Sequence, residues 1–395
     1  MTSSICRGFC SIVPPYLLKE LGTKSDDPQV RQAVAETRAT DRKLRAVRAS
    51  LLGNTLMKGL APEAAPLKRR VFDCQNTNDT ARRQVLEEGG RLPSDVAVKE
   101  AYAAAGTTWK FYHDLFDRSS VDNAGLTLVS SVHYRRDYNN AVWDGHQMVY
   151  GDGDGIVFER FTKSIDIIGH ELTHGVTQFT AGLDYSNQPG ALNEHFSDVF
   201  GILVKQWSSR QRDPSRASWI IGEGLLKPTI HGVGLRSMSA PGTAYNDRIS
   251  GLGKDPQPSH MRDYVKLPDT EEGDYGGVHY NSGIPNVAFY RAAVAIGKPA
   301  WEVVGKIWYV TLTQRLRADS NFSKCALETI SVARDYFDND TAEKVSAAWV
   351  SVGVIKAGIG PMASLSRGKI RRLSAASKKA AAFPKHPPTR RKRAA

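Results

Sequence analysis

The chain lacks the features that would place it in a membrane or in a disulfide-stabilised class. Its 395 residues contain no apolar run that approaches the ~18 residues required by a membrane-spanning helix. The four cysteines include no CxxC pair, which argues against a disulfide framework but leaves a single bridge open. Residues 1–22 show no basic segment followed by an uninterrupted apolar core, so they do not match a secretory signal.

Acidic side chains are missing from residues 356–395, where twelve Lys and Arg residues occur. These twelve equal the formal net charge of +12, so the rest of the chain is balanced. The segment is rich in Ala, Ser and Pro without apolar periodicity, which predicts a disordered basic tail. Two roles stay open for it: none beyond solvation, or binding to an anionic surface such as nucleic acid, a lipid A-like polymer or a membrane.

Metal-binding residue types recur at helical spacing in the middle of the chain. His170 and His174 are four residues apart, about one helical turn, so both face the same side. Glu171 adjoins the first of them, and Glu194 and Asp198 repeat the four-residue spacing in a second segment. Two imidazoles and a distant carboxylate leave the fourth position of a zinc ion open for water. The pattern predicts a catalytic zinc site on His170, His174 and Glu194.

Several further motifs resemble those of the thermolysin-like zinc metallopeptidases, over about residues 71–355. They are Asn139–Trp143, Met148–Gly155, Ala181–Tyr185, Leu235–Ser239 and Gly276–Gly283. The resemblance implies an α+β metallopeptidase of two lobes, with the zinc helix across the cleft floor. The strand-rich N-terminal lobe would cover residues 61–185 and the helical C-terminal lobe residues 186–355.

Periodicity supports this division. Strands are expected at 127–132 and 147–158, and helices at 94–116, 191–206, 286–295, 300–316, 322–336 and 341–350.

The resemblance also implies a mechanism. Glu171 is the general base for a zinc-bound water, and zinc, Tyr185 and His279 stabilise the oxyanion of the tetrahedral intermediate. Asp274 orients His279. The plainer alternatives are packing for Tyr185 and a solvated side chain for His279.

Two residues are expected to fix the tautomers of the zinc-binding histidines: Asp198 accepts from His170 and Asn193 from His174. A surface carboxylate is the alternative for Asp198, as it is for Asp274.

Substrate contacts follow from the same resemblance. Arg236 binds a substrate carbonyl and Asn140 positions the substrate backbone, although a structural ion pair is the alternative for Arg236. Six apolar residues resemble the lining of the pocket for the side chain after the cleaved bond: Phe158, Phe161, Ile167, Ile221, Leu225 and Leu235. Cleavage on the amino side of hydrophobic residues is therefore expected, with core packing as the alternative for these residues.

The chain departs from the family at the double calcium site. Asp166 and Glu223 match the acidic positions, but Lys205, Ser218 and Ile220 occupy the others. Calcium needs about six or more oxygen ligands and tolerates no ammonium group among them. We expect no double calcium site, with Lys205 neutralising Asp166 and Glu223. Gly151–Gly155 is expected to be a tight loop, and calcium elsewhere stays open.

The first sixty residues read as a propeptide. Cys10–Leu18 resembles the short propeptide of the protealysin-like branch of the family, and residues 28–52 have helical spacing. The resemblance implies a zymogen whose N-terminal segment blocks the cleft. We expect cleavage between about residues 54 and 70. Cys6 or Cys10 either binds zinc in the latent form or packs in a buried position.

The sequence thus predicts a zinc endopeptidase made as a zymogen. The resemblance favours secretion, and a cytoplasmic precursor is the alternative because no signal is recognised. A catalytically silent scaffold that binds partners through the basic tail is the alternative function. Peptide or protein substrates and the propeptide are the expected partners.

Overall fold

The computed structural model describes residues 10–51 and 65–357. The described residues do not include Cys6, the segment 52–64 or the chain after residue 357. The predicted boundary between residues 60 and 61 therefore also lies outside them. Within the described part, no helix is both long and apolar enough to cross a membrane.

One mixed sheet of six strands dominates the N-terminal lobe. Its order is β1-β5-β6-β4-β2-β3, with β1 at the edge beside β5. The strands are β1 (Cys10–Ser11), β2 (Arg69–Asp73), β3 (Arg83–Glu87), β4 (Leu128–Val132), β5 (Ala141–Trp143) and β6 (Met148–Tyr150). Strand β4 runs parallel to β2 and β6, whereas β5 runs antiparallel to β6. The described part also has two short ribbons, β7 (Ile220–Ile221) with β8 (Arg236–Ser237) and β9 (Asn246–Asp247) with β10 (Gly253–Lys254).

Helices dominate the C-terminal lobe and the N-terminal segment, and two further helices belong to the N-terminal lobe. In chain order they are α1 (Pro15–Lys24), α2 (Pro28–Leu51), α3 (Val96–Phe116), α4 (Ile165–Gln178), α5 (Asn187–Ser208), α6 (Asp274–Asn281), α7 (Gly283–Ile296), α8 (Val304–Val310), α9 (Phe322–Tyr336) and α10 (Asn339–Ser351). The expected fold, a strand-rich lobe followed by a helical lobe, is confirmed.

Close packing of α4 on α5 sets up the site. A side chain at Gly201 would bring its Cβ within 2.4 Å of the Asp166 carbonyl oxygen, so only glycine permits this approach. Almost every residue of α4 is buried, including its polar residues. Buried polar groups need partners, and the facing side of α5 provides them.

The N-terminal segment lies on the catalytic part. Proline at the first position of α1 suits a helix start because its missing N–H would have no helical partner there. Leu17, Leu18 and Leu21 on α1 are at most 1% exposed. From α2, Thr37 accepts a hydrogen bond from the Asn139 N–H at 3.0 Å.

Two expected elements are wrong in extent. The strand expected at 147–158 ends at Tyr150, because the chain then turns through Gly153 and Gly155, both with positive φ. Asp154 Oδ1 accepts hydrogen bonds from the three N–H groups of residues 156–158, which fixes this loop. The helix expected at 300–316 begins only at Val304 and finishes as a π-helical turn over Thr311–Arg315.

Candidate active site

Three buried side chains converge where α4 faces α5. The Nε2 atoms of His170 and His174 lie 2.9 Å apart, and each is 3.5 Å from an oxygen of Glu194. Their donor atoms all lie within 4.8 Å of one another, and no other group of three such side chains occurs among residues 10–51 and 65–357. The predicted zinc ligands are therefore brought together.

The remaining nitrogen of each histidine is engaged. His170 Nδ1 is 2.9 Å from Asp198 Oδ1, and His174 Nδ1 is 2.8 Å from Asn193 Oδ1. Since an amide oxygen only accepts, His174 donates from Nδ1 and its Nε2 carries the lone pair. Ser197, which was not predicted, lies 3.0 Å from the same Nδ1. Both imidazoles are thus oriented for a ligand at Nε2.

Glu171 lies beside strand β5. Its Oε2 accepts the Trp143 N–H at 2.8 Å, while its Oε1 is buried with no hydrogen-bond partner in the described structure. Burial raises the pKa of Glu171 to about 8, against the lowering effect of nearby His170. One carboxylate oxygen is therefore anchored and the other is available to the site.

Tyr185 and His279 stand on the other side of Glu194. The Tyr185 hydroxyl donates to Glu194 Oε1 and lies 3.2 Å from His279 Nε2. Asp274 holds the imidazole, with His279 Nδ1 at 2.6 Å from one of its oxygens and the His279 N–H at 2.8 Å from the other. Burial lowers the pKa of His279, but the negative charge of Asp274 outweighs this and raises it.

A left-handed turn makes the approach of His279 possible. Residues Asp274, Tyr275, Gly276 and Gly277 at the start of α6 all have positive φ. At Gly276, with φ 82°, a Cβ would lie 2.4 Å from the Asn187 side chain. Glycine at this position therefore allows the chain to fold back so that Asp274 meets the His279 ring.

The predicted substrate residues contact the N-terminal segment. Arg236 donates to the Ile12 carbonyl at 3.0 Å, and Asn140 Oδ1 accepts the Val13 N–H at 3.0 Å. Arg236 also pairs with Asp198, at 2.8 Å from Nη2 to Oδ1. Burial would raise the pKa of Asp198, but the guanidinium holds it well below its usual range. Arg236 thus forms the structural ion pair and also binds a backbone carbonyl of the N-terminal segment.

The six predicted pocket residues are all buried. Each is at most 1% exposed, and all belong to the main hydrophobic core of the described residues, which also includes Ile12 and Val13. The list is Phe158, Phe161, Ile167, Ile221, Leu225 and Leu235.

Cys10 lies in β1, buried beside Tyr185 and Val278. It is not part of the donor group of His170, His174 and Glu194.

The predicted calcium locus holds an ammonium group. Lys205 Nζ lies 2.7 Å from Glu223 Oε2 and donates to the Ile220 carbonyl at 3.1 Å. Asp166 accepts instead from Ser164 at 2.6 Å and from the Gly222 N–H at 2.6 Å. The expectation that Lys205 neutralises both carboxylates is wrong for Asp166, since the salt bridges of the described residues pair Lys205 with Glu223.

Other contacts of the site could not be read from motifs. Asn286 donates to Asp198 Oδ2 at 2.9 Å, and Asp41 on α2 accepts from Asn140 at 3.0 Å. Arg48, also on α2, donates to the Trp143 carbonyl at 2.7 Å. These partners come from distant parts of the chain, and no local spacing signals them.

Two family models match the chain in succession. The model described as "Thermolysin metallopeptidase, catalytic domain" matches residues 68–178. The model described as "Thermolysin metallopeptidase, alpha-helical domain" matches residues 181–354. Together the two models cover both lobes. His170 and His174 lie in the first matched region, and Glu194 lies in the second.

Relatives match over a longer span that includes the N-terminal segment. An "Extracellular metalloprotease" of Pectobacterium carotovorum subsp. carotovorum is 44% identical over 88% of this chain and 97% of its own length. "Protease PrtS" of a Photorhabdus species is 43% identical over 88% of this chain and 93% of its own. The solved precursor of protealysin, a metalloproteinase from Serratia proteamaculans, is 46% identical with a TM-score of 0.76, covering 88% of this chain and 100% of that one.

Proposed function

This chain belongs to the thermolysin family of metallopeptidases and is a zinc metalloendopeptidase, and we propose that it cleaves peptide bonds on the amino side of hydrophobic residues with Glu171 as the base. The proposal includes a propeptide of residues 1–60, catalytic lobes of 61–185 and 186–355, and a basic tail of 356–395. No observation among the described residues favours the alternative of a silent binding scaffold.

The donor set fits a zinc ion. His170, His174 and Glu194 would hold it, because both imidazoles are turned to offer Nε2 and Glu194 Oε2 is buried without a hydrogen-bond partner in the described part. Such a buried polar atom is costly unless a ligand satisfies it. A bound zinc ion would supply a Lewis acid that acidifies water and polarises a carbonyl group at this point.

Glu171 moves the proton. Its Oε2 is held by the Trp143 N–H, so its Oε1 is the atom that takes a proton from the attacking water. A carboxylate placed in this way can accept the proton and return it to the leaving amine.

Tyr185 and His279 stabilise the negative charge of the tetrahedral intermediate. The Tyr185 hydroxyl and His279 Nε2 lie 3.2 Å apart and converge beside Glu194. Asp274 keeps the proton of His279 Nδ1 in place and favours the charged imidazole, which strengthens donation from Nε2.

The placement of the N-terminal segment carries the proposal of cleavage before hydrophobic residues. The Ser11 carbonyl oxygen lies 3.2 Å from His279 Nε2, and the next residue, Ile12, bonds to both Arg236 and the Ala141 carbonyl. The Ser11–Ile12 peptide bond therefore occupies the position of a bond to be cleaved. The side chain that follows it, Ile12, is aliphatic and buried, as are the predicted pocket residues.

A peptide library tests this proposal. Zinc-loaded protein that has lost its propeptide is incubated with the library, and cleavage sites are located by mass spectrometry. We expect Ile, Leu, Val or Phe directly after the cleaved bond, and loss of hydrolysis with a zinc chelator that zinc addition reverses. Cleavage after hydrophobic residues, or none at all, would contradict it.

We also propose that the protein is released from the cell and that its basic tail binds an anionic surface. The relative named as an extracellular metalloprotease supports release of this protein outside the cell. Mass spectrometry of culture medium against lysate tests that location and gives the processed N-terminus. Salt-sensitive retention on anionic vesicles or nucleic acid, lost on deletion of residues 356–395, tests the tail.

A further inference from the structure

Among the described residues of the N-terminal segment, Arg48 is an arginine that is buried against the end of β5. Arg48 on α2 is only 2% exposed, although its side chain is charged. Its Nη1 donates to the Trp143 carbonyl at 2.7 Å, and its Nη2 donates to Gln178 Oε1 at 3.2 Å. The planar guanidinium suits two acceptors placed side by side, whereas an ammonium group offers no such fork.

This pair of acceptors is held in place without Arg48. Gln178 Oε1 also accepts the Trp143 indole N–H at 3.0 Å, and Gln178 Nε2 donates to the Gly145 carbonyl at 3.3 Å. The Gln178 amide cannot turn over without losing both bonds. We therefore expect its oxygen to face the position of the Arg48 guanidinium whether or not Arg48 is present. Gln178 is the last residue of α4, where the helix dipole presents its negative end and favours a cation.

The acceptor pair lies on the side of the cleft that precedes the cleaved bond. In the β1–β5 ladder Cys10 is opposite Trp143, and the Ser11 carbonyl is the one beside His279. A substrate that binds in this register places the second residue before its cleaved bond opposite Trp143, so its third and fourth residues lie next to the end of β5. We expect a long side chain from there to reach the two acceptors that Arg48 contacts.

We propose that the Trp143 carbonyl and the Gln178 side-chain oxygen form a substrate subsite for arginine, three or four residues before the cleaved bond, which Arg48 fills in the zymogen. The inference rests on the proposed peptidase function and adds a specificity to it. Loss of residues 1–60 removes Arg48 and opens both acceptors to a substrate guanidinium. The propeptide thereby blocks this subsite as well as the position of the cleaved bond.

Matched peptides test the subsite. Each carries one Ala-Ile cleavage bond, with Arg, citrulline or Ala placed three or four residues before it. Citrulline keeps the shape of arginine but not its charge, so the ratio of kcat/KM for Arg over citrulline isolates the guanidinium. Processed, zinc-loaded protein is expected to give a ratio of about ten at one of the two positions, since hydrogen bonds that involve a charged donor are about twice as strong as neutral ones.

Substitution at the helix end identifies the acceptor. Gln178→Met keeps the length of the side chain but removes the acceptor oxygen, and the Arg to citrulline ratio should fall to below about two, whatever the absolute rates become. Thr180→Ala, at the same helix end, is the matched control and should keep the ratio of the unaltered protein.

Three outcomes would overturn the subsite. A ratio near one in the unaltered protein at both positions would show that Arg48 only holds the propeptide, while the peptidase proposal would stand. An unchanged ratio in Gln178→Met would remove Gln178 from the subsite. If no peptide is cleaved at all, the peptidase proposal fails and the subsite fails with it.

Discussion

Arg236 and Asp198 form an ion pair that is wholly buried beneath the cleft. Arg236 Nη2 lies 2.8 Å from Asp198 Oδ1, and Arg236 Nε lies 3.0 Å from Asp198 Oδ2. The same carboxylate orients His170, and the same guanidinium binds the Ile12 carbonyl. One pair of side chains therefore links His170, a proposed zinc ligand, to the backbone of the N-terminal segment.

Loss of one partner should destabilise the fold. Arg236→Ala would leave Asp198 charged and buried, which typically costs about 3–5 kcal/mol. Denaturant unfolding measures the free energy of unfolding, in a Glu171→Gln background that prevents self-digestion. Arg212→Ala, in an exposed pair with Glu302, is the control and should cost at most about 1 kcal/mol. Equal effects of the two substitutions would contradict this reading.

Docking of the propeptide should weaken as the pH rises. Asp41 on α2 is buried against Tyr138 and Asn140, with Arg45 and Glu271 nearby, and burial raises its pKa from 3.8 to about 6. A raised pKa means that the docked state prefers the protonated acid. The contribution to docking is therefore complete below pH 3.8 and is lost as the pH rises through about 6.

Hydrogen exchange of α2 measures this docking. In a Glu171→Gln background, and after correction for intrinsic exchange, α2 should open more readily at pH 7 than at pH 5. Asp41→Asn cannot ionise and should remove most of the difference. A pH dependence that survives in Asp41→Asn would assign it to another group.

Stability should fall in the alkaline range because of His133. Its side chain lies between Asp152 at 2.7 Å and Asp95 at 3.1 Å. The hydrogen bond to Asp152 raises the pKa of His133 to about 9, against the opposing effect of burial. Since the folded pKa exceeds the unfolded value of 6.5, the stabilisation is complete below pH 6.5 and is lost as the pH rises through about 9.

Thermal unfolding between pH 7 and pH 10 tests this prediction. Both acids are partly exposed, so solvent screening reduces the effect to about 1–2 kcal/mol. His133→Gln should be less stable at pH 7 and show a flatter profile. The same slope in both proteins would show that His133 is not responsible.

Calcium should have no effect at the Lys205 locus. We expect chelation of calcium, with zinc kept in place, to leave the unfolding temperature unchanged, because the ammonium group of Lys205 occupies the space beside Glu223. Lys205→Glu should lower the unfolding temperature by bringing carboxylates together, and millimolar calcium should restore it. Lys227→Glu, beside Glu159, is the matched control and should show no such rescue. Calcium dependence of the unaltered protein would contradict the prediction.

Local spacing predicted the parts of the site that lie on single helices. The four-residue repeat of His170 and His174 requires only that α4 forms, and its buried apolar flanks ensure this. The prediction that the strand continues beyond Tyr150 was wrong. Asp154 accepts three backbone N–H groups there, and these bonds compete with strand pairing. Apolar alternation alone does not reveal such a competitor.

Contacts between residues far apart in the chain could not be predicted from the sequence. Arg48 and Gln178 are 130 residues apart, and their contact depends on how α2 docks on the catalytic part. The sequence showed that Lys205 is incompatible with a calcium site. It did not show that Lys205 pairs only with Glu223 among the two carboxylates, since Asp166 accepts the Gly222 N–H instead. These contacts are set by the tertiary arrangement of α2, α4 and α5.

The most direct test of the account is Glu171→Gln in the processed protein, with zinc content and peptide hydrolysis measured on the same sample. The account predicts one zinc ion per chain and a loss of about 10²–10⁴-fold in kcat, because the ligands remain and the base is gone. Glu302→Gln, at the surface, should leave both unchanged. Hydrolysis retained in Glu171→Gln at full zinc occupancy would contradict the central claim.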